Sequence, residues 1–466
     1  MNFLKGLLAA RSHIAFLLGL ALALAVVHQV QRYAHAAAPA PGAVPPSSAA
    51  TAKAENTERT EALAERLNVS ADELPLRPTG QALTAEERAF AEAAWAYFER
   101  NHQPSTGLVN SNDKFPSTTL WDLGSYAMGL LSAEVLGLVT PKDATERLSK
   151  LLDTLAKLPL VDGRLPNKAY QTVTLEMVDY NNNPVKDGLG WSAIDIARLG
   201  VPLNVILWRH PELTPKVKAL FTAWKLDEAA VRGELQGANR GKDGALVYTQ
   251  EGRLGYEQYA AKSLLLLGLD VSGSLDPRRH LAIQKVSDQP LAYDARMPAR
   301  HGGTHNAVLS EPYLLEGLEF GFDQNSLAMA RALLKAQMNR AKELGKPVAV
   351  SEDNLDRAPY FVYNSALNGG VAWAAFTPDG ADASAHRSLS TKAALGWAYL
   401  FDGPYSERLR TAAVETVEPK LGWYSGRYDA DGALNKSLTA NTNGIVLEVL
   451  AYKVQGPWLR AAHQPR

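Results

Sequence analysis

From Leu83 to Gly456 the chain alternates between two hydrophobic patterns. One is amphipathic, with apolar residues every three or four positions and a polar opposite face. AFAEAAWAYFERN opens this series. PKDATERLSKLLDTLAKL, PKVKALFTAWKL, a segment behind Asp276-Pro277, DQNSLAMARALLKAQMNRAKEL and PYSERLRTAAVETV continue it. Thr84 and Glu87 have capping-box spacing, and Thr140-Pro141 and Thr214-Pro215 place proline at a first helical position. The other pattern is apolar nearly all round, rich in Gly, Ala and Ser, and polar mainly at its start. It recurs in TTLWDLGSYAMGLLSAEVLGL, GLGWSAIDIARLGVPLNVIL, GRLGYEQYAAKSLLLLGL, SEPYLLEGLEFGF, SLSTKAALGWAYLF and TANTNGIVLEVLAYK. A helix with no wet face is a buried helix. Six of each kind, interleaved, predict an all-α (α/α)6 toroid of six inner and six outer helices. An open solenoid would show a fixed repeat period, whereas the spacings here vary.

Long polar connections lead into the inner helices, and short ones lead out of most of them. If the inner helices are parallel, their first turns and these loops converge on one mouth. YFVYNSALNGGVAWAAF and LGWYSGRYDADGALNKS read as short strands there, the second as a hairpin around Asp431-Gly432. Ahead of the helices, Lys5 and Arg11 precede the apolar run Ile14 to Val27, with small residues at Ala34 and Ala36. That is the grammar of an export signal, and the run is short for a spanning helix. Residues 1–36 are therefore expected to be a signal peptide or an N-terminal inner-membrane anchor of a periplasmic protein. Residues 37–82 read as an Ala/Pro/Ser-rich linker with a short helix, and 83–466 as the folded domain.

Charge and composition narrow the chemistry. Lys plus Arg number 48 against 49 Asp plus Glu, which gives no electrostatic ground for nucleic acid as a partner. With no cysteine there is no disulfide, thiolate metal site or cysteine nucleophile. His301 and His305 are four apart, but Gly302-Gly303 between them argues against a helical metal pair, and no H-E-x-x-H, phosphate-loop or G-x-S-x-G pattern occurs. Neither metal nor cofactor is expected.

The mouth should therefore work with carboxylates, amides and aromatic rings, which suits an oligo- or polysaccharide: rings stack on sugars, and two carboxyl groups do acid and base work at a glycosidic bond. Asp122, Glu257 and Glu311 in inner-helix first turns are the expected catalytic groups. Trp121, Trp191, Tyr256, Tyr259 and Tyr313, with Asp179, His305, Asp353, Tyr360 and Tyr363 on the long loops, are the expected substrate-binding groups. Each first-turn carboxylate also has a purely structural explanation in the helix dipole, and a tryptophan more often fills a core than binds a sugar. Two other functions fit the same pattern: a noncatalytic glycan-binding or envelope-assembly protein, and a polysaccharide lyase using His305, Asn306 and Tyr313.

At TTLWDLGSY, GYEQYAAK, SEPYLLEGLE, APYFVYNSAL and TANTNGIVLEVLAY the chain resembles a bacterial family known as domain of unknown function 3131, over about Leu83 to Gly456. More distantly it is similar to (α/α)6 glycoside hydrolases, among them enzymes acting on β-1,2-glucans. The resemblance implies a toroid and a hydrolase or transglycosylase acting on a glucan or other exopolysaccharide, and it assigns no catalytic residue.

Overall fold

The computed structural model describes residues 63–459. Its main helices are α1 (Ala85–Asn101), α2 (Leu120–Val135), α3 (Pro141–Leu155), α4 (Ala193–Arg209), α5 (Thr214–Ala223), α6 (Tyr256–Leu266), α7 (Glu311–Leu315), α8 (Gln324–Leu344), α9 (Thr391–Leu400), α10 (Pro404–Val414) and α11 (Ala440–Gln455). The apolar segments are the buried ones: α2, α4, α6, α7, α9 and α11 each pack on the next, and α11 returns to α2. Small residues permit this approach. A Cβ on Gly444 would stand 2.7 Å from the Ser125 carbonyl oxygen, and one on Gly124 3.0 Å from the Arg198 backbone. A π-turn over Glu316–Phe320 extends α7.

The amphipathic helices cover this set. α1 packs on α11 and α2, α3 on α2, α5 on α4, α8 on α7 and α10 on α9. Their starts follow the sequence signals. Thr84 Oγ1 accepts from the Glu87 N–H while Glu87 accepts from the Thr84 N–H, and Thr140 Oγ1 accepts from the Asp143 N–H.

The fourth amphipathic position departs from expectation. Behind Asp276-Pro277 stands a short 3₁₀ turn, Pro277–Arg279, and then an antiparallel hairpin, Leu281–Val286 with Gln289–Asp294, that packs on α8. Residues 281–294 carry a period-two pattern around Ser287-Asp288, whose φ angles of 44° and 61° make the tight left-handed turn a hairpin needs. An all-helical reading is thus too simple. Strand pairs also occupy the connections entering the inner helices, including Ser117–Thr119 with Ala169–Gln171 and Glu234–Arg240 with Leu246–Gln250. The strands expected near Tyr363 and around Asp431-Gly432 are present as Phe361–Asn364 and as Gly422–Tyr428 with Leu434–Leu438.

The folded body also begins earlier than position 83. Leu63, Leu67 and Leu74 are buried, Leu76 bridges to Phe401, and the Gly80 N–H donates to the Lys453 carbonyl at 2.9 Å. Residues 63–82 therefore pack on the helices instead of linking to them. The expected signal or anchor, 1–36, and the start of the expected linker lie outside the described residues. Among the described residues no helix is long and apolar enough to cross a membrane.

Candidate active site

The first turns of the six inner helices converge. On α2, Trp121 packs edge-on against Tyr256 of α6, with ring centroids 5.4 Å apart, and its Nε1 donates to Glu311 Oε1 of α7 at 3.1 Å. Asn441 Nδ2 of α11 donates to the same oxygen at 2.9 Å, and Lys392 of α9 forms an ion pair with the other. Asp195 completes the ring from α4. Burial, the charge of Glu251 and, further away, that of Asp122 push its carboxyl up to about 7. Asp122 and Asp195 are held alike. Thr119 Oγ1 accepts from the Asp122 N–H and donates to its carboxylate at 2.7 Å, and Ser192 Oγ does the same for Asp195 at 3.1 Å.

A buried charge cluster forms one wall. Glu311 is fully buried, and the Lys392 ammonium paired with it lies 3.8 Å from Asp353. Burial drives Asp353 up to about 7 against the opposing pull of Lys392. Its neighbour Glu352 is partly exposed and also raised by burial. Asp122, partly exposed, is raised by burial, with a contribution from the Glu311 charge. The mouth therefore holds carboxyl groups raised toward neutrality, Asp195 and Asp353, beside Glu311, which is ion-paired to a fixed cation, an environment in which acid and base roles can separate. Deeper in the helices the Arg198 guanidinium lies 5.8 Å from the Trp121 ring and pairs with buried Glu319 and Glu448, while the Tyr259 hydroxyl donates to Glu319 at 2.8 Å.

Not every expected site residue reaches the mouth. Glu257 is buried in a separate cluster, paired with Arg296 and accepting from Ser274 at 2.9 Å and Gln250 at 3.1 Å, and shares none of these partners with Glu311 or Asp122. An arginine two residues beyond Asp294 claims it, which GRLGYEQYAAK alone does not reveal. Trp191 is fully buried, its Nε1 donating to the Gln236 carbonyl at 3.2 Å, and Tyr313 is a core residue beside Met329. Tyr259 belongs to the Arg198 floor. Asp179 does not offer its carboxylate to a ligand: it accepts from the Asn181 and Asn183 N–H groups at 2.9 and 2.8 Å and from Asn183 Nδ2 at 3.0 Å, shaping a turn. Tyr363 stacks on Phe376 at 5.2 Å, and His305 packs on Phe376 while donating to the Pro378 carbonyl. Tyr360 is exposed. The lyase trio is not assembled, because Asn306 is buried against the Asp294 carbonyl and Tyr313 is in the core. Among the described residues no cluster of His, Asp and Glu has the geometry of a metal site. A cavity of about 620 Å³ lies elsewhere, between α10 and the strand Gly422–Tyr428, lined by Lys346, Arg408, Glu415 and Arg427, none of which belongs to the mouth.

The model of the family described as "Protein of unknown function (DUF3131)" matches residues 89–456. The chain belongs to that family. No curated protein matches this DUF3131 sequence. Among solved structures it is similar to a putative glucoamylase from Bacteroides caccae, at 12% identity and a TM-score of 0.55, over 80% of this chain and 94% of that one. It is similar to the endo-beta-1,2-glucanase from Chitinophaga pinensis in complex with sophorotriose and glucose, at 14% identity and a TM-score of 0.56, again over 80% and 94%. An endo-beta-1,2-glucanase from Talaromyces funiculosus with sophorose matches at 11% identity and a TM-score of 0.54, over 80% and 83%. At these identities the shared property is the fold.

Two mouth carboxylates of the DUF3131 chain, and an exposed tyrosine on the loop feeding α4, escaped the sequence reading. Glu251 precedes α6 on a loop, accepts from the Ala193 N–H at the start of α4 at 2.5 Å, and is raised by burial. Glu352 is adjacent to Asp353 in the chain, on the opposite face of the same strand. Its signal is the strand register, since Glu352 lies directly opposite Tyr363, whose aromatic ring marks the same face. Tyr180 is 62% exposed, at the turn that Asp179 builds. At the start of α11, Thr439 Oγ1 caps the helix, Asn441 binds Glu311, and Asn443 Oδ1 accepts from the Trp423 N–H at 2.8 Å.

Proposed function

We propose that this protein is an exported glycoside hydrolase of a glucan, built as an (α/α)6 toroid whose mouth does acid and base chemistry with carboxyl groups from two distant segments. The observation that carries the reading is that Tyr363, directly opposite Glu352 in its strand pair, also feels the charge of Asp195, so carboxyl groups from two distant segments serve one site. Asp195 stands on α4, the second inner helix, and Glu352 on the long connection feeding α9, the fifth. Asp195, held near 7 and partly exposed, gives its proton to the departing glycosidic oxygen. Glu352, whose charged form Lys392 favours, takes a proton from the attacking water. Glu311 fixes Lys392 in place, Asp122 binds sugar hydroxyls, and Trp121 and Tyr256 offer ring surface beside them. The fold shared with solved endo-beta-1,2-glucanases supports a glucan as substrate. Export, and a periplasmic location with the N-terminus cleaved or anchoring, rests on Lys5, Arg11 and the apolar run Ile14 to Val27.

The test is product analysis on a panel of neutral and acidic bacterial glycans, β-1,2-glucan included, with the native protein and the Asp195→Asn and Glu352→Gln variants. New reducing ends, lowered about 10²- to 10⁴-fold in each variant, are expected. Binding without turnover in the native protein would instead establish a glycan-binding module, and unsaturated product ends a lyase.

A further inference from the structure

Glu311 holds more of the mouth than Lys392. Its carboxylate is fully buried, so its partners are side chains: Lys392 pairs with one oxygen, and the other accepts from Trp121 Nε1 at 3.1 Å and from Asn441 Nδ2 at 2.9 Å. An ammonium and an indole N–H donate and never accept. Glu311 is therefore an acceptor on every side, and the Asn441 amide can meet it only through its NH2 group, which sends Oδ1 the other way. There Oδ1 accepts from Ser125 Oγ at 3.0 Å, nearer than the Trp121 carbonyl that the same hydroxyl reaches at 3.3 Å. Ser125 is fully buried, and Arg198 Nη2 donates to its oxygen at 3.5 Å. The serine and the asparagine meet because α11 crosses α2 at Gly444, one turn beyond Asn441, where a Cβ would stand 2.7 Å from the Ser125 carbonyl oxygen.

An asparagine amide has two N–H donors, and Glu311 takes one. The second has no protein partner among the described residues, and Asn441 keeps part of its surface exposed. Trp121, held by the same Glu311 oxygen, is partly exposed as well. One buried carboxylate oxygen thus fixes an aromatic ring and an amide donor side by side before any ligand arrives. A ring that stacks on the apolar face of a pyranose, beside a donor whose direction is already set, binds a sugar with little ordering cost. We infer that Asn441 is a substrate-binding residue that gives its second amide N–H to a hydroxyl oxygen of the sugar stacked on Trp121, and that Glu311 and Ser125 are its positioning residues. This rests on the glucan hydrolase reading and names the polar partner of its ring surface. Ser125 has no exposed surface of its own and acts through the amide.

The test measures the binding of sophorotriose and maltotriose by calorimetry on the full chain carrying Asp195→Asn, which stops turnover, and KM for any glucan the native protein hydrolyses. Adding Asn441→Ala should weaken the better ligand about three- to tenfold, the range of one hydrogen bond between neutral groups. Ser125→Ala should weaken it about two- to threefold, and should do nothing further once position 441 is alanine, because its contribution passes through the amide. Monodeoxy derivatives of the same ligand supply a readout that a merely structural role would not move. The derivative lacking the hydroxyl that Asn441 meets should bind equally well with and without Asn441→Ala. Unchanged binding in Asn441→Ala, an equal loss for every deoxy derivative, or a Ser125→Ala effect that survives in the double variant overturns the assignment and leaves the hydrolase reading standing. No binding of either trisaccharide together with no hydrolysis of any glucan overturns both.

Discussion

Replacing Lys392 by methionine removes the cation around which one wall of the mouth is built. The ammonium is 3% exposed, pairs with fully buried Glu311, and stands 3.8 Å from Asp353. At an effective dielectric near 20, one such pair at about 4 Å is worth about 4 kcal/mol of attraction, offset by the desolvation of both partners. Methionine fills a similar volume, so the loss is electrostatic: a buried carboxylate without its counter-charge typically costs about 3–5 kcal/mol. Against a total stability of about 5–15 kcal/mol that is a large fraction. The sign with pH follows from proton binding. Without Lys392 the folded cluster holds a proton that the unfolded chain releases, so the variant gains stability as pH falls and loses it as pH rises. Urea denaturation at pH 5 and pH 8 should show the deficit at pH 8 and a partial recovery at pH 5, and adding Glu311→Gln should return most of it. A variant as stable as the native protein at pH 8, or a deficit independent of pH, would refute the charge-cluster argument.

Three further outcomes follow from the same geometry. Glu257→Gln should weaken the fold by about 1.5–3 kcal/mol through its charged hydrogen bonds to Arg296, while hydrolysis by the folded protein stays within a few-fold of native, measured by denaturation and reducing-end assay. Gly444→Ala should cost about 1–3 kcal/mol in the same denaturation assay, because the added methyl meets the Ser125 carbonyl at 2.7 Å where α11 crosses α2. Asp195 and Asp353 have folded-state values raised from 3.8 to about 7, so the stability linked to them is present below about pH 4 and is lost as pH rises through about 7. Asp353→Asn should flatten that slope in melting curves recorded from pH 4 to pH 8, and a rate assay should show activity falling above about pH 7 as Asp195 gives up its proton.

The sequence by itself determined which helices are inside, because a helix with no polar face can only be buried, and the six apolar segments are the six that pack in a ring. It also determined helix starts such as those at Thr84 and Thr140, since capping is decided within four residues. That same locality is why it could not choose the catalytic groups. Thr119 with Asp122, Thr140 with Asp143, and Ser192 with Asp195 share one spacing and one hydrogen-bond pattern, yet Asp143 is exposed on outer helix α3 while the other two face the mouth. Glu257 and Glu311 both open apolar helices. Only the fold gives one of them Arg296 and the other Lys392, Trp121 and Asn441, all from distant parts of the chain. A hairpin at Leu281–Asp294 stands where a helix is expected because the period-two pattern and the left-handed turn at Ser287-Asp288 outweigh the local helix-start signal at Asp276-Pro277, which yields only one 3₁₀ turn. A carboxyl group's role depends on which charges and how much water surround it, and those are set by residues that meet only when the ring closes.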